Sequence, residues 1–183
     1  MIGLTTGRQT TQQLNSLLKD LAHSIPGSKI IRRGKSSVEN LGVRLLEEGV
    51  SYAIVLYRWR GGPGRIGFFA VEPTGLNVVA PAVLLSAVKL RREYPDRGKY
   101  TAQGITCDPT SSEQIRNLSH TLSRVLQLPE SSLPPPPDLK TTFHISEMPD
   151  RHPRLIVTSP PGERDVGPSL LISKLIWDID ETD

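Results

Sequence analysis

A mixed α/β (α+β) fold is what this sequence predicts, on three observations. Leucines recur at helical spacing in residues 14–21, and Ile, Leu and Val do the same in residues 115–125. Short runs rich in Val, Ile, Tyr, Trp and Phe lie between Gly and Pro breaks. An outline of strand, charged loop carrying Gly and Pro, then strand occurs twice, over 52–71 and 154–176, which points to an internal duplication into two similar halves. A chain of 183 residues can bury a core as one domain or as two packed halves. With two Trp, four Tyr and three Phe, that core is mainly aliphatic, and sixteen prolines with fifteen glycines imply many turns.

Each element follows in order. Ile2 to Thr6 reads as a short strand. Thr10 or Thr11 caps a helix that puts Leu14, Leu17, Leu18 and Leu21 on one face, and Pro26 with Gly27 ends it. Lys29 to Arg32 reads as a second strand. Ser36 and Glu39 have the spacing of a capping box for a helix with Val38, Leu41 and Leu45 inward, stopped at Gly49. Tyr52 to Trp59 and Arg65 to Val71 form the clearest hairpin, turning through Arg60, Gly61, Gly62, Pro63 and Gly64. Val83 to Glu93 reads as a further strand with imperfect alternation, helix being the alternative. Ser111 or Ser112 caps a helix with Ile115, Leu118, Leu122 and Val125 inward, and the four prolines of 133–138 make an extended connection. Thr141 to Ser146, Arg154 to Ser159 and Ser169 to Trp177 complete the strands.

Composition and motif chemistry exclude several functions. Gly34, Lys35 and Ser36 mimic the end of a phosphate-binding loop, but Lys29 stands where its first Gly is required, so the loop cannot wrap its amides around a phosphate. His144 and His152, near Glu147 and Asp150, lack a metal-site spacing and read as loop and strand polar residues. His23 and His120 have no nucleophile or third group beside them in sequence. The lone Cys107 has no disulfide or zinc partner, which points to a reducing cytoplasm. Met1 to Gln13 lacks a signal-peptide pattern, and the longest apolar stretch, Val78 to Val88, is short and broken by Pro81, so no membrane association is expected. Asp178, Asp180, Glu181 and Asp183 read as a solvated acidic end. No enzyme chemistry, metal or other cofactor is expected.

Charge is the remaining signal. Residues 1–100 carry 15 Lys and Arg against 7 Asp and Glu, whereas residues 101–183 carry 7 against 12, so the net charge of +3 hides a basic first half and an acidic second half. Such segregation suits a polyanion, whose affinity comes largely from counterion release. The basic groups fall on expected loops and strand ends: Arg8, then Arg32, Arg33 and Lys35, then Arg58, Arg60 and Arg65, then Lys89, Arg91 and Arg92. Arg forks two bonds onto a phosphate and stacks on bases, which fits folded RNA as well as simple polyanions, and Tyr57 and Trp59 are candidate stacking partners.

At these positions the chain resembles a known family. Thr5–Thr6–Gly7–Arg8, Ile31–Arg32–Arg33–Gly34–Lys35 and Arg60–Gly61–Gly62–Pro63–Gly64 are similar to the successive TTSR, NRGK and HRGEP signatures of Brix-domain ribosome-biogenesis proteins. Asp165–Val166–Gly167–Pro168, with the strand after it, is similar to that family's EVGPRFEL ending. Departures are Gly7 for Ser, Arg32 and Arg33 for Asn and its neighbour, and Ser169 and Leu170 for Arg and Phe. The resemblance is greatest to small archaeal members similar to the fourth U3 small nucleolar ribonucleoprotein subunit of eukaryotes. It implies a Brix domain over 1–180, with halves of about 1–85 and 86–180 each like a class IIa tRNA synthetase anticodon-binding domain, and an acidic tail at 181–183. It further implies non-catalytic binding of precursor ribosomal RNA during its processing and subunit assembly, within a ribonucleoprotein. An adaptor that docks ribosomal or assembly proteins is the alternative.

Overall fold

A computed structural model describes residues 1–32, 38–59, 62–96, 98–147 and 152–179. Its backbone is one ten-stranded mixed sheet with three helices, consistent with the α+β expectation. The first half runs β1 (Ile2–Thr6), α1 (Gln12–Ser24), β2 (Ser28–Ile30), α2 (Val38–Glu47), β3 (Tyr52–Trp59), β4 (Gly62–Glu72) and β5 (Gly75–Lys89). A 3-10 turn at Arg91–Glu93 leads into β6 (Gly104–Cys107), α3 (Glu113–Leu126), β7 (Glu130–Ser131), β8 (Thr142–Ser146), β9 (Arg154–Thr158) and β10 (Asp165–Ile176).

The strand order β2-β1-β3-β4-β5-β10-β9-β8-β6-β7 reads the same way from either edge. From each edge, parallel pairs (β2 with β1 and β1 with β3; β7 with β6 and β6 with β8) give way to antiparallel ones. The two halves join through antiparallel β5 and β10, from Ser169 opposite Lys89 to Ile176 opposite Ala82. By this topology the expected hairpin of Tyr52–Val71, which is β3–β4, matches β8–β9. The sequence-level pairing with Arg154–Ile176, which is β9–β10, is displaced by one strand. It fails because both are strand–loop–strand outlines, and only the parallel partner of β3 and β8 tells one from the other.

Alternation along the strands sorts the side chains onto two faces. Ile2, Leu4, Ile54, Leu56, Ile66 and Phe68 point into the larger core, where α1 contributes Leu14, Leu17, Leu18 and Leu21, and α3 contributes Ile115, Leu118, Leu122 and Val125. That cluster continues into Phe143, Ile145, Val157 and Leu170, so one core serves both halves. On the other face α2 covers a smaller core of Ile31, Leu41, Leu45, Val50, Ala53 and Val71. The second half has no helix in the position of α2 among the described residues. There the proline-rich connection comes across instead, and the space a Cβ on Gly104 would take is closed by the Pro129 carbonyl oxygen, 3.1 Å away, and by Leu139, 3.3 Å away.

Several expected boundaries shift. The second strand is Ser28–Ile30 rather than Lys29–Arg32, and Val83–Glu93 is not one element. Strand β5 starts earlier, at Gly75, and stops at Lys89, because the Leu90 N–H turns to the Glu93 carboxylate at 2.6 Å and opens the 3-10 turn. Strands β6 and β7 were not expected. The first is four residues with no clean alternation, and the second two, so neither has a periodic signature. Ser36, Arg60 and Gly61, invoked for the second helix cap and the hairpin turn, lie outside the described residues.

Candidate nucleic-acid interface

The C-terminal ends of the parallel strands β1 and β2 open beside the first turns of α1. Thr11 caps that helix, its hydroxyl oxygen accepting the Leu14 N–H at 3.2 Å, so the positive end of the helix dipole faces the opening. The result is a cleft of about 730 Å³ bordered by Thr6, Gly7, Arg8, Asn15, Lys19 and Arg32, among others, with Leu18 and Ile30 as its apolar wall. Arg8, Lys19 and Arg32 are exposed, and none meets a carboxylate within ion-pair distance among the described residues. Three exposed cations around a concave opening make an anion-attracting region.

Lys19 was not singled out from the sequence. It sits mid-helix among leucines, and the signal that marks it is its place on the turn facing Arg8 and Arg32. It also borders a second hollow of about 260 Å³ with Ser16, Asp20, His23, Arg91 and Arg92, so the basic surface continues across α1. Within it Arg91 is partly engaged: its backbone N–H donates to Asp20 at 2.9 Å and its Nε lies 4.0 Å from the same carboxylate. Arg92 is exposed.

The other candidate residues lie elsewhere. Lys89 places its Nζ 4.2 Å from the centroid of the Tyr94 ring. Arg58 is exposed on β3, where the register with β4 is irregular. Arg65 is half-buried, its guanidinium 5.8 Å from the centroid of Tyr57. That ring lies against Gly7 and Gly67, on the face opposite the larger core, so Arg65 and Tyr57 form a separate stacked pair. Arg33, Lys35 and Arg60 lie outside the described residues.

The corresponding cleft of the second half has different chemistry. It lies between β6, α3 and β7, measures about 160 Å³, and is lined by Cys107, Asp108, Arg116, His120 and Glu130, among others. His120 occupies the place of Lys19 and pairs through Nδ1 with Glu130 Oε2 at 2.9 Å. Burial pushes the Cys107 thiol above its ordinary range, which holds it in the un-ionised, poorly nucleophilic form. Two carboxylates here oppose a polyanion, and the half with the basic excess in sequence is the half with the basic cleft.

Glu147 and His144, weighed above as ligands, have structural work. Glu147 accepts bonds from the Ser112 N–H at 2.6 Å and the Ser112 hydroxyl at 3.1 Å, capping α3 from 35 positions away. His144 is buried, with Nδ1 3.0 Å from the Thr106 hydroxyl and Nε2 3.3 Å from Asp108. Thr106, Thr142 and Thr158 link hydroxyl to hydroxyl across β6, β8 and β9, at 3.1 and 3.3 Å. Burial holds the His144 pKa below its ordinary 6.5, with the nearby Asp108 carboxylate opposing. The unfolded chain therefore takes up the proton more readily. The contribution of His144 to stability is fully present above pH 6.5 and is lost as pH falls from there through the lowered folded value. Denaturant midpoints measured across this range should fall with acid in the parent protein and fall less in His144→Asn. Parallel profiles for the two would show that His144 is not the titrating group.

No protein-family profile matches the chain. A Pyrococcus abyssi protein named a probable Brix domain-containing ribosomal biogenesis protein is 27% identical over 97% of this chain and 84% of its own length. A Pyrobaculum aerophilum protein of the same name is 33% identical over half of each chain. The crystal structure of a probable ribosomal biogenesis protein from Aeropyrum pernix matches with a TM-score of 0.73 and 24% identity over 96% of this chain and 98% of that one. That of Mil, an archaeal Imp4-like protein, matches with a TM-score of 0.67 and 19% identity over 97% and 100%. The resemblance first carried by four short signatures thus extends along nearly the whole chain.

Proposed function

We propose that this chain, similar over nearly its whole length to Brix-domain ribosomal biogenesis proteins, is itself a ribosome-biogenesis factor that binds precursor ribosomal RNA without catalysis. The observation that carries this is the convergence of Arg8, Lys19 and Arg32 on one cleft, with Arg91 and Arg92 extending it across α1. The exposed cations of the cleft hold phosphates, and the apolar wall of Leu18 and Ile30 receives an unstacked base or ribose. Arg58, Arg65 and Lys89, together with Arg33, Lys35 and Arg60, are assigned to flanking contacts with the same RNA. The rigid sheet supplies a platform that stabilises a transient RNA conformation during processing and subunit assembly.

The mirrored strand order supports reading the domain as two halves, about 1–85 and 86–180, each like a class IIa tRNA synthetase anticodon-binding domain, with the basic cleft on the first. Among the described residues no group of three His, Cys, Asp or Glu could hold a metal, and no helix is long and apolar enough to cross a membrane. We place the protein in the cytoplasm, where precursor RNA and ribosomal proteins meet in archaeal cells.

Crosslinking the protein to cellular RNA and sequencing the attached fragments tests this directly. The expected result is enrichment of precursor ribosomal RNA, with crosslinked peptides from the β1–α1 and β2–α2 connections. Crosslinks spread over abundant RNA in proportion to its concentration would refute it.

A further inference from the structure

The face of the sheet opposite the larger core carries a surface of another kind. While Leu41 and Leu45 of α2 enter the smaller core, the outer side of that helix presents Val43 and Leu46, which are 59% and 42% exposed. Leu46 stands between two hollows, of about 330 and 440 Å³, and Glu72 at the end of β4 borders both. Val43 and Leu76 line the smaller one. Val78, 37% exposed, extends the apolar strip along β5, two residues on from Leu76 and therefore on the same side. Scattered exposed aliphatics need no explanation, but a contiguous strip flanking two hollows marks an interaction surface.

Charge selects the occupant. Glu47, beside Leu46, and Glu72, at the rim of both hollows, are exposed. The C-terminus of α2, the negative end of its dipole, opens on the larger hollow at Gly49. Arg44, the cation in the last turn of that helix, is occupied: its Nε meets Glu48 at 3.2 Å and its Nη1 donates to the Arg32 carbonyl at 3.0 Å. Aliphatic anchors within a negative rim disfavour RNA at the outer side of α2 and call for a ligand that is apolar and cationic together.

We propose that the outer side of α2 and the β4–β5 turn dock a basic segment of a protein partner. Leu, Ile or Val side chains of that segment enter the hollows beside Leu46, and its Lys or Arg residues meet Glu47 and Glu72. This surface does not depend on the RNA reading, since it lies across the sheet from the basic cleft and shares none of its residues.

The test uses the full chain and three labelled peptides followed by fluorescence anisotropy. One has Leu at helical spacing with Lys elsewhere, the second replaces each Lys by Glu, and the third scrambles the first. The expected result is binding of the Lys peptide about tenfold or more tighter than the other two. The paired substitution Val43→Ser with Leu46→Ser should weaken it by a similar factor, and Glu47→Lys with Glu72→Lys should shift preference to the Glu peptide. All four positions are exposed, so melting temperatures should stay close to the parent, and amide shifts on titration should centre on α2 and residues 72–78. Equal affinity for the three peptides, or binding unaffected by both paired variants, would overturn the proposal. Self-association of the peptide-free protein that Leu46→Ser abolishes would assign the face to a second copy, and would overturn it too.

Discussion

Replacing Arg8, Lys19 and Arg32 together by Ala should lower affinity for single-stranded RNA roughly a hundredfold at 0.1 M salt and flatten the plot of log affinity against log salt by about 2. Each phosphate contact on a single strand releases about 0.7 of a counterion, so three contacts account for both figures. All three side chains are exposed, and exposed charges contribute little to folding, so the variant should melt near the parent temperature. The control removes as many cations from the acidic half, at Arg116, Arg124 and Arg164, and should change the slope far less. Anisotropy titrations at four or more salt concentrations read both quantities. A correctly folded cleft variant with parental affinity would remove the cleft from the binding surface, and equal losses in both variants would reduce the effect to net charge.

Leu118→Ala should destabilise the whole chain, by about 2–5 kcal/mol, in one cooperative transition. The Leu118 side chain is fully buried on α3, in a cluster that also holds Leu14 and Leu17 of α1, Ile54 of β3 and Leu170 of β10. A cavity there withdraws contacts from both halves, because Ala82 to Lys89 of β5 pairs with Ser169 to Ile176 of β10 and one buried cluster continues across that junction. Circular dichroism and tryptophan fluorescence during urea unfolding should therefore give coincident midpoints, both shifted in the variant. Two separated transitions, with only the later residues affected, would show that the halves fold as independent units.

The helices were legible because their determinants are local. Leu14, Leu17, Leu18 and Leu21 share a stripe that only a 3.6-residue repeat produces, and Thr11 and Pro26 mark its ends within a few residues. The hairpin of β3 and β4 was legible for the same reason, with strand formers on either side of a Gly-rich turn. Strands β6 and β7 were hidden because they are held by neighbours distant in sequence: Gly104 to Cys107 pairs with β8, and Ile105 stands opposite Glu130. The cap of α3 was half legible. Ser112 does occupy the cap position, but the group that bonds its N–H is Glu147, brought in from the end of β8.

The candidate site divides along the same line. Charge segregation is a property of composition, so the sequence alone determined that the first half of this chain carries the basic excess, and four short signatures in order determined its resemblance. Only tertiary structure decided which cations stand together. Parallel pairing of β1 with β2 aligns the strand ends that carry Arg8 and Arg32, and the crossing of α1 sets Lys19 between them. The same alternation that points Ile66 and Phe68 into the core sends Arg65 to the opposite face, beside Tyr57. Side-chain direction follows from strand pairing, and strand pairing is a relation between segments far apart in the chain.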